Sequence, residues 1–261
     1  MKHKLLFILF LFGSLLSSAY GQDSLAYKSK WQIRILAGGN IPITNLLQGN
    51  YVDYLLHYND HSYYLQILSV SYFFHKHWGI DANLVQFCSS KRIGERNDNF
   101  VASMQSKYGD KYYVNAETND IYEDMKSFYR ANIGIIYRFE TNKFYLYPKF
   151  SIGITDISTD DWQVHLKEKN SNNEYKLFFS KNNKPNYSLS LTLTPSVSFG
   201  YKLSKRVFFN ADIILSHFRP SFTFEKEFVN LYTKESTVEY FDYKKDIFTL
   251  SLGAGLIFAI R

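Results

Sequence analysis

The chain has 261 residues, of which 46% are hydrophobic, 18% aromatic and 21% charged, and its formal net charge is +6. This composition is too apolar and too aromatic for a disordered chain, and 13 glycines and 5 prolines exclude collagen-like and low-complexity repeats. The mean hydropathy of −0.26 excludes a helical membrane protein. The length fits one large β domain or two small ones.

The chain begins with a pattern typical of a secretory signal peptide, which we assign to residues 1–21. A basic start precedes a largely apolar run over 5–16, and Ala19 and Gly21 supply the small residues of a cleavage site. The run is too short to span a hydrocarbon core, which needs about 20 residues, so an N-terminal anchor helix is the less favoured alternative. We expect a mature domain over residues 22–261.

The charge and cysteine content of the mature domain restrict the kinds of exported protein to which it can belong. Removal of two leader lysines leaves 28 basic and 24 acidic residues, a net charge of +4, which gives no reason to expect nucleic-acid binding. Cys88 is the only cysteine, so we expect neither an internal disulfide nor a lipoprotein anchor. An exported chain without a second apolar run of about 20 residues is periplasmic, secreted or an outer-membrane β-barrel.

Eight segments of the mature chain have strand character, and helical periodicity is nearly absent. Alternation is clearest in the last three; over 188–201, serine, threonine and glycine occupy one face, and mostly leucine, valine and aromatic residues the other. A period of two over such lengths predicts β-strands. The segments are 31–39, 62–74, 78–88, 127–140, 143–156, 187–202, 207–219 and 246–260.

The distribution of charge between the two faces favours a membrane barrel. One face is nearly free of charge over whole strands, and the other is small and polar with isolated charges. A soluble sandwich would instead carry many lysines and glutamates outside. Two segments fit less well: in 62–74 the pattern predicts that odd-numbered residues face inward and Gln66 faces lipid, and in 78–88 Val85 and Phe87 join Asp81 on the inner face.

Short and long connections alternate along the chain. We therefore predict an all-β fold, an eight-stranded antiparallel up-and-down transmembrane β-barrel with short periplasmic turns and four long extracellular loops. Aromatic residues near both ends of the strands predict two interfacial belts. The short turns are 75–77, 141–142 and 203–206, and the long loops are 40–61, 89–126, 157–186 and 220–245.

Six charged residues fall on the predicted inner face. An eight-stranded barrel has an interior just wide enough for side chains, so these charges are expected to pair. We interpret them as a structural network that plugs the lumen, with a proton or ion path as the alternative. A general porin is excluded because it needs about 16 strands. The residues are Arg34, Asp81, Arg130, Arg138, Lys149 and Asp212.

A catalytic site is difficult to build from this sequence. Ser216 and His217 are the obvious pair, but adjacent strand residues point to opposite faces of a sheet and cannot form a nucleophile–base dyad. The other histidines form no cluster with the spacing of a metal site. We therefore expect no enzymatic activity, no cofactor and no metal, with a lipid-modifying barrel enzyme as the less favoured alternative.

The long loops contain strand-like patterns of their own. Residues 157–186 read as strand extensions joined by a turn, and residues 222–228 and 237–243 as the strands of a second extended hairpin. Residues 89–126 read as a solvated loop with a short helix near 98–107, and a phosphate site there is the less favoured alternative. Protruding hairpins offer edges and aromatic surface to a partner, although they could merely extend the barrel. The candidate interaction residues are Trp162, Phe178, Phe179, Phe222, Phe224, Tyr240 and Phe241.

Two strand–turn–strand units carry a resemblance to a known group. They are IGIIYRFETNKFYLYPKFSIGIT at 133–155 and VSFGYKLSKRVFFNADIILSHF at 197–218, and the chain closes with LSLGAGLIFAIR. With these units, nearly the whole mature chain resembles the small outer-membrane β-barrels of Bacteroidota, including the PorT-like group. Many such barrels end on an aromatic residue that the β-barrel assembly machinery reads, whereas this chain ends at Arg261.

The resemblance implies the outer membrane of a Gram-negative bacterium as the location. It implies outer-membrane lipid, lipopolysaccharide and the assembly machinery as partners, and a protein partner at the extracellular loops is a further expectation. We predict a non-enzymatic barrel whose loops bind a partner or ligand, or support the envelope. A component of a secretion or assembly complex is the alternative.

Overall fold

The computed structural model describes residues 29–43, 61–89, 93–117, 127–158, 161–181 and 187–260. The predicted signal peptide at 1–21 and most of the predicted loop 40–61 lie outside the described residues. In this part of the chain, no helix is both long enough and apolar enough to cross a membrane.

The described elements follow one another as strands with a single helix among them. In chain order they are β1 (Trp31–Pro42), β2 (Ser62–Tyr72), β3 (Trp78–Ser89), α1 (Ile93–Tyr108), β4 (Tyr112–Glu117), β5 (Ser127–Tyr137), β6 (Phe139–Glu140), β7 (Phe144–Ser158), β8 (Trp162–Glu168), β9 (Glu174–Lys181), β10 (Tyr187–Lys202), β11 (Val207–Phe218), β12 (Ser221–Asn230), β13 (Ser236–Lys244) and β14 (Ile247–Ile260).

Eight of these strands close into an antiparallel barrel. The order is β10, β11, β14, β1, β2, β3, β5 and β7, and the pairing of β7 with β10 closes the ring. Each predicted segment coincides with one barrel strand to within three residues at either end. The predicted eight-stranded up-and-down transmembrane barrel is therefore confirmed.

The barrel wall presents apolar side chains outward and small polar ones inward. Along β11, about ten residue steps of about 3.3 Å at a tilt of about 40° separate Val207 from His217, which gives a height of about 25 Å. This height matches the apolar band of an outer-membrane barrel. Exposed outer-face residues include Ile33, Ile35, Ile80, Ile133, Ile152, Ile154, Leu193, Ile213, Leu215 and Leu252.

A β-bulge in β2 changes the face on which its residues lie. The register with β3 shifts between Gln66 and Leu68, so Gln66 and Ser69 both point into the lumen and are buried. The prediction that Gln66 faces lipid is wrong, because a bulge inserts one residue and breaks the period of two. Val85 and Phe87 of β3 do face inward.

The aromatic residues near the strand ends divide between the two faces. Trp31, Trp78, Phe144, Tyr63 and Phe248 are exposed on the lipid side, as interfacial belts require. Other residues of the expected belts point inward because strand parity places them there, and they fill the two ends of the lumen. These inward residues are Phe73, Tyr145, Tyr147 and Phe208 at the periplasmic end, and Tyr64, Phe87, Phe128 and Phe218 at the extracellular end.

A second antiparallel sheet continues the barrel wall on the extracellular side. Its order is β13, β12, β9, β8 and β4. This order repeats that of the barrel strands β14, β11, β10, β7 and β5, because each extension strand directly precedes or follows its barrel strand in the chain. The predicted hairpins are confirmed, but they join edge to edge in one sheet instead of protruding separately.

The hydrophobic side of the wall reverses where the barrel passes into this extension. Ile152 and Ile154 of β7 are exposed on the outer face, whereas Trp162, Val164 and Leu166 of β8 are buried on the inner one. The predicted helix is also confirmed as α1, and its Phe100 and Met104 are buried in the same cluster as these β8 residues. The extension therefore folds as an ordinary water-facing sheet with its core turned toward the barrel axis.

Candidate functional site

Two ion pairs occupy the middle of the lumen, and the first joins the neighbouring strands β1, β2 and β3. The Arg34 guanidinium Nη2 donates to Asp81 Oδ1 at 3.3 Å and to Ser71 Oγ at 3.2 Å. The Ser71 hydroxyl donates to the same carboxylate oxygen at 2.5 Å. Strand parity sends all three side chains inward, so the carboxylate is fully engaged inside the barrel.

The second pair lies between β7 and β11, which flank β10. The Lys149 ammonium donates to Asp212 Oδ2 at 3.3 Å, and the Asn210 amide donates to Asp212 Oδ1 at 2.7 Å. All three residues are buried. The attraction between the two opposite charges, together with the hydrogen bonds, offsets part of the free-energy cost of removing them from water. An isolated charge in this lumen would have no such compensation.

Arg130 lies nearer the extracellular end and is held differently. Its Nη1 donates to Ser216 Oγ at 2.5 Å, and its guanidinium lies 4.7 Å from the centroid of the Phe87 ring. Among the described side chains, no carboxylate forms an ion pair with it. The partners of Arg130 are therefore the Phe87 ring, through a cation–π contact, and the Ser216 hydroxyl, whereas the predicted network gave it an acidic partner.

Arg138 does not join the central pairs, because it lies at the periplasmic end. Its Nη1 donates to the Ser29 carbonyl oxygen at 2.9 Å, its Nε lies 3.9 Å from Glu140 Oε1, and its guanidinium lies 3.9 Å from the Phe73 centroid. The structure thus brings four of the six predicted lumen residues together as two ion pairs and leaves Arg130 and Arg138 apart.

Glu140 is a lumen residue that the sequence analysis did not single out. Its carboxylate accepts a hydrogen bond from Tyr147 and pairs with Lys202 Nζ at 2.8 Å. Alternation along the strand places Glu140 on the same inner face as Arg138, two residues before it. The residue was overlooked because it adjoins the predicted turn.

Apolar clusters close the lumen above and below the polar layer. The lower cluster consists of Phe73, Ile136, Tyr145, Tyr147, Phe208, Ile257 and Ala259. The upper cluster continues from barrel residues such as Leu36 and Val85 into the extracellular sheet and α1. The barrel interior is therefore a polar layer between two apolar ones.

Ser216 and His217 lie on opposite faces of β11. Ser216 is buried and accepts from Arg130, whereas His217 is half-buried on the outer face, with its Nε2 2.9 Å from Asp246 Oδ1. The two side chains do not meet. Among the described residues, no group of three or more histidine, cysteine, aspartate or glutamate side chains is arranged to hold a metal ion.

Four of the seven predicted interaction residues are inaccessible. Trp162, Phe179, Phe222 and Phe224 are buried, and the ring centroid of Phe100 in α1 lies 4.6 Å from that of Trp162 and 5.8 Å from that of Phe179. These four side chains are buried because α1 and the neighbouring strands cover the inner face of the sheet.

The other three candidates differ in exposure. Phe241 is half-buried and stacks on Phe224 at 5.5 Å, and Phe178 is half-buried on the outer face. Tyr240 is 60% exposed, with Tyr232 and Val238 also exposed near it on the β12–β13 hairpin. The β12–β13 hairpin thus offers three exposed side chains to a partner, whereas β4 at the other end of the sheet exposes Tyr113.

The extracellular sheet is braced by polar contacts that shift the pKa of its acidic groups. Lys226 Nζ lies 2.6 Å from Glu239 Oε2 on neighbouring strands, and this hydrogen bond lowers the pKa of Glu239. In the β8–β9 turn, Glu168 accepts hydrogen bonds from Ser171 Oγ at 2.5 Å and Asn173 Nδ2 at 3.1 Å, which lower its pKa. These contacts join the neighbouring strands β12 and β13 and brace the β8–β9 turn.

Comparison with known proteins shows similarity of fold. No protein-family model matches the chain, and no curated protein matches it. The chain is similar to a major outer membrane protein from Thermus thermophilus, with 10% identity, a TM-score of 0.42 and coverage of 89% of this chain and 99% of that chain.

Two further solved structures are similar to the chain at lower TM-scores. The outer membrane protease OmpT from Escherichia coli is 7% identical, with a TM-score of 0.35 and coverage of 91% of this chain and 99% of that chain. The translocator domain of the autotransporter NalP from Neisseria meningitidis is 8% identical, with a TM-score of 0.21 and coverage of 99% and 98%. At these identities the likeness concerns the fold alone.

These comparisons correct one expectation. The prediction that the protein is not an enzyme is contradicted, because a barrel named as an outer membrane protease is among the similar structures. What the strand pairing of the described residues establishes is an antiparallel β-barrel closed by eight strands.

Proposed function

We propose that this protein spans the outer membrane of a Gram-negative bacterium and binds a protein partner through its extracellular β12–β13 hairpin. The observation that carries the proposal is the exposure of apolar side chains above the lipid-facing band. Val238 and Tyr240 of β13 are 39% and 60% exposed, and Tyr232 in the hairpin turn is 62% exposed. No lipid covers them at this level, because the hydrophobic side of the wall has already reversed.

The hairpin is held rigid, which lowers the entropy cost of binding. Thr223 Oγ1 donates to Asp242 Oδ1 at 2.7 Å across the two strands, and Lys226 pairs with Glu239. In the turn, the side chain of Asn230 accepts hydrogen bonds from the amides of Tyr232 and Thr233 at 2.9 and 3.2 Å. A partner would thus meet a preformed surface.

The position of β13 in its sheet suggests how the partner docks. Within the described part of the chain, β13 is an outermost strand, and residues 236–240 are exposed on both faces. An outermost strand can accept an added strand through main-chain hydrogen bonds, with side-chain contacts giving specificity. The alternating side chains Val238 and Tyr240 would supply those contacts on the outer face.

The resemblance to PorT-like barrels of Bacteroidota supports one setting for such a partner, a secretion or assembly complex in the envelope. The strand–turn–strand units at 133–155 and 197–218 carry this resemblance. The binding proposal does not depend on this setting, since the exposed hairpin carries it alone.

Site-specific photocrosslinking in intact cells tests the proposal. A photoreactive residue placed at Tyr240 should give a discrete crosslinked band. One placed at Tyr113 should not, although Tyr113 is 62% exposed on β4 at the other end of the same sheet. The substitution Val238→Lys should weaken the crosslink at position 240 at least tenfold. Equal crosslinking at both positions, or none at 240, would contradict the proposal.

A further inference from the structure

On the outer face of the β11–β14 strand pair, the type of side chain changes step by step toward the extracellular end. Register pairs Leu215 with Leu250, His217 with Phe248 and, above the barrel, Ser221 with Lys244. Arg219 and Asp246 lie between the last two steps. The wall therefore passes from aliphatic side chains, through an imidazole and a phenyl ring, to charged groups within a few residues.

The charged step is an organised cluster on the outer surface. Asp246 receives His217 Nε2 at 2.9 Å and lies 3.8 Å from Arg219 Nε, and the His217 ring lies 4.6 Å from that of Phe248. The side chains of His217, Asp246 and Arg219 are 34%, 49% and 53% exposed. Arg219 thus has an open side, about 5 Å above the last lipid-facing level.

Lys244 adds a second cation next to Arg219. Its side chain is exposed on the outer face beside Ser221, and the nearby Asp242 is engaged by Thr223. Asp246 is engaged by His217. Among the described residues Lys244 forms no ion pair, and Arg219 meets Asp246 only through Nε at 3.8 Å, so Lys244 and the open side of Arg219 are available to an anion.

Apolar surface adjoins these cations on the neighbouring strand. The Arg219 amide donates to Ser190 Oγ at 3.1 Å, which fixes β10 beside this step. Leu189 and Leu191 flank Ser190 on the outer face and are 60% and 69% exposed. A ligand that covers both features must carry a negative group and hydrocarbon chains together.

We propose that Arg219 and Lys244 bind a phosphate group of an acylated outer-leaflet lipid, with its acyl chains on Leu189 and Leu191. This inference rests on the proposed outer-membrane location, where lipopolysaccharide supplies phosphates at the top of the apolar band. Charge-assisted hydrogen bonds from guanidinium and ammonium groups to phosphate are strong. Asp246 acts as a positioning residue that holds Arg219 toward the headgroup.

Native mass spectrometry of the full-length mature protein, released from detergent, measures this binding. With lipid A as the probe, the wild type should retain the lipid, and with dephosphorylated lipid A it should retain at least tenfold less. The double variant Arg219→Ser/Lys244→Ser should lose retention of lipid A at least tenfold. The matched control Lys205→Ser/Arg206→Ser removes the same charge from the other end of the β10–β11 hairpin and should behave as the wild type.

The source of the phosphate is tested separately. Leu191→Asn should weaken lipid A retention, and millimolar inorganic phosphate should not displace the lipid; the opposite results would mean a site for free phosphate and would overturn the proposal. Equal retention by the double variant and the wild type would also overturn it. A change of gel mobility on boiling confirms that each variant is folded, and crosslinking at Tyr240 reports the proposed partner independently of lipid.

Discussion

Inside the lumen, Arg34 Nη2 lies 3.3 Å from Asp81 Oδ1, and both side chains are fully buried. The two residues come from β1 and β3, so the pair spans the intervening strand β2, whose Ser71 bonds to both of them. Because side chains fill the barrel interior, neither charge is in contact with bulk water. The pair is therefore a fixed part of the barrel's packing.

Removing one partner of this pair should be costly. Asp81→Ala leaves the Arg34 charge uncompensated, and we expect it to lower the free energy of unfolding by about 3–5 kcal/mol. The double variant Arg34→Met/Asp81→Leu should recover most of that loss, because it removes both charges and keeps the volume. Urea unfolding from lipid vesicles, followed by tryptophan fluorescence, measures both changes. A loss below about 1 kcal/mol for Asp81→Ala, the range of exposed pairs, would refute the assignment.

The inward position of these charges was readable from the sequence. Period-two alternation placed Arg34, Asp81, Lys149 and Asp212 on one face, and the closed barrel then left only the lumen for them. Which acid meets which base was not readable, since partners such as Lys149 and Asp212 lie on strands separated by β10. Their contact depends on the shear of the closed barrel, which local periodicity does not encode.

Strands β1 and β14 approach so closely at Gly255 that a larger residue does not fit without strain. A Cβ added at Gly255 of β14 would lie 2.0 Å from the carbonyl oxygen of Ile35 in the neighbouring β1. Since that neighbour is backbone, it cannot rotate away, and Gly255→Ala should destabilise the barrel by about 1–3 kcal/mol.

The control for this substitution lies on the neighbouring strand β1, on the outer face. A Cβ at Gly39 would meet nothing within 4 Å, so Gly39→Ala should leave stability nearly unchanged. The fraction of barrel that remains folded in SDS without boiling, measured over increasing temperature, compares the two variants. Equal melting of both would show that the contact at Gly255 is relieved by strand movement.

The extracellular sheet should unfold separately from the barrel when its core is emptied. Phe100 of α1 is fully buried against Trp162 and Phe179, so Phe100→Ala should cost about 3–5 kcal/mol in the extension. We expect rapid proteolytic cleavage within α1 and the β8–β9 hairpin, while the barrel keeps its mobility shift on gels. Tyr113→Ala, at an exposed position, is the control, and resistance of the Phe100 variant to protease would count against this core.

The β8–β9 turn gives a prediction about pH. Hydrogen bonds from Ser171 and Asn173 lower the pKa of Glu168 from its usual 4.5, so the stability that they contribute is present above the unfolded pKa and is lost as pH falls through the folded one. Ser171→Ala removes one donor and should raise the pKa of Glu168 toward 4.5. An NMR titration of the Glu168 carboxyl carbon measures this; an unchanged value would exclude Ser171 as the principal cause.

The extracellular sheet marks the limit of what the sequence predicted. The β8–β9 and β12–β13 hairpins and the helix were expected from turn residues and local alternation. Their union was not, because the pairing of β9 with β12 and of β4 with β8 joins segments far apart in the chain. The sequence did contain a signal for this union, because the apolar face reverses at Trp162 and Phe222. Apolar residues on the lumen side must be covered, and joining the hairpins in one sheet covers them.

The reversal of the apolar face places the extracellular limit of the lipid between His217 and Thr223. After Cys88→Ser, spin labels placed singly at Ile213 and Thr223 on the outer face of β11 and β12 can be tested for contact with oxygen and with a water-soluble nickel chelate. We predict that the label at 213 meets oxygen and is shielded from the chelate, and that the label at 223 meets the chelate. Free access of the chelate to position 213 in the vesicle-inserted protein would contradict the transmembrane assignment of the barrel wall.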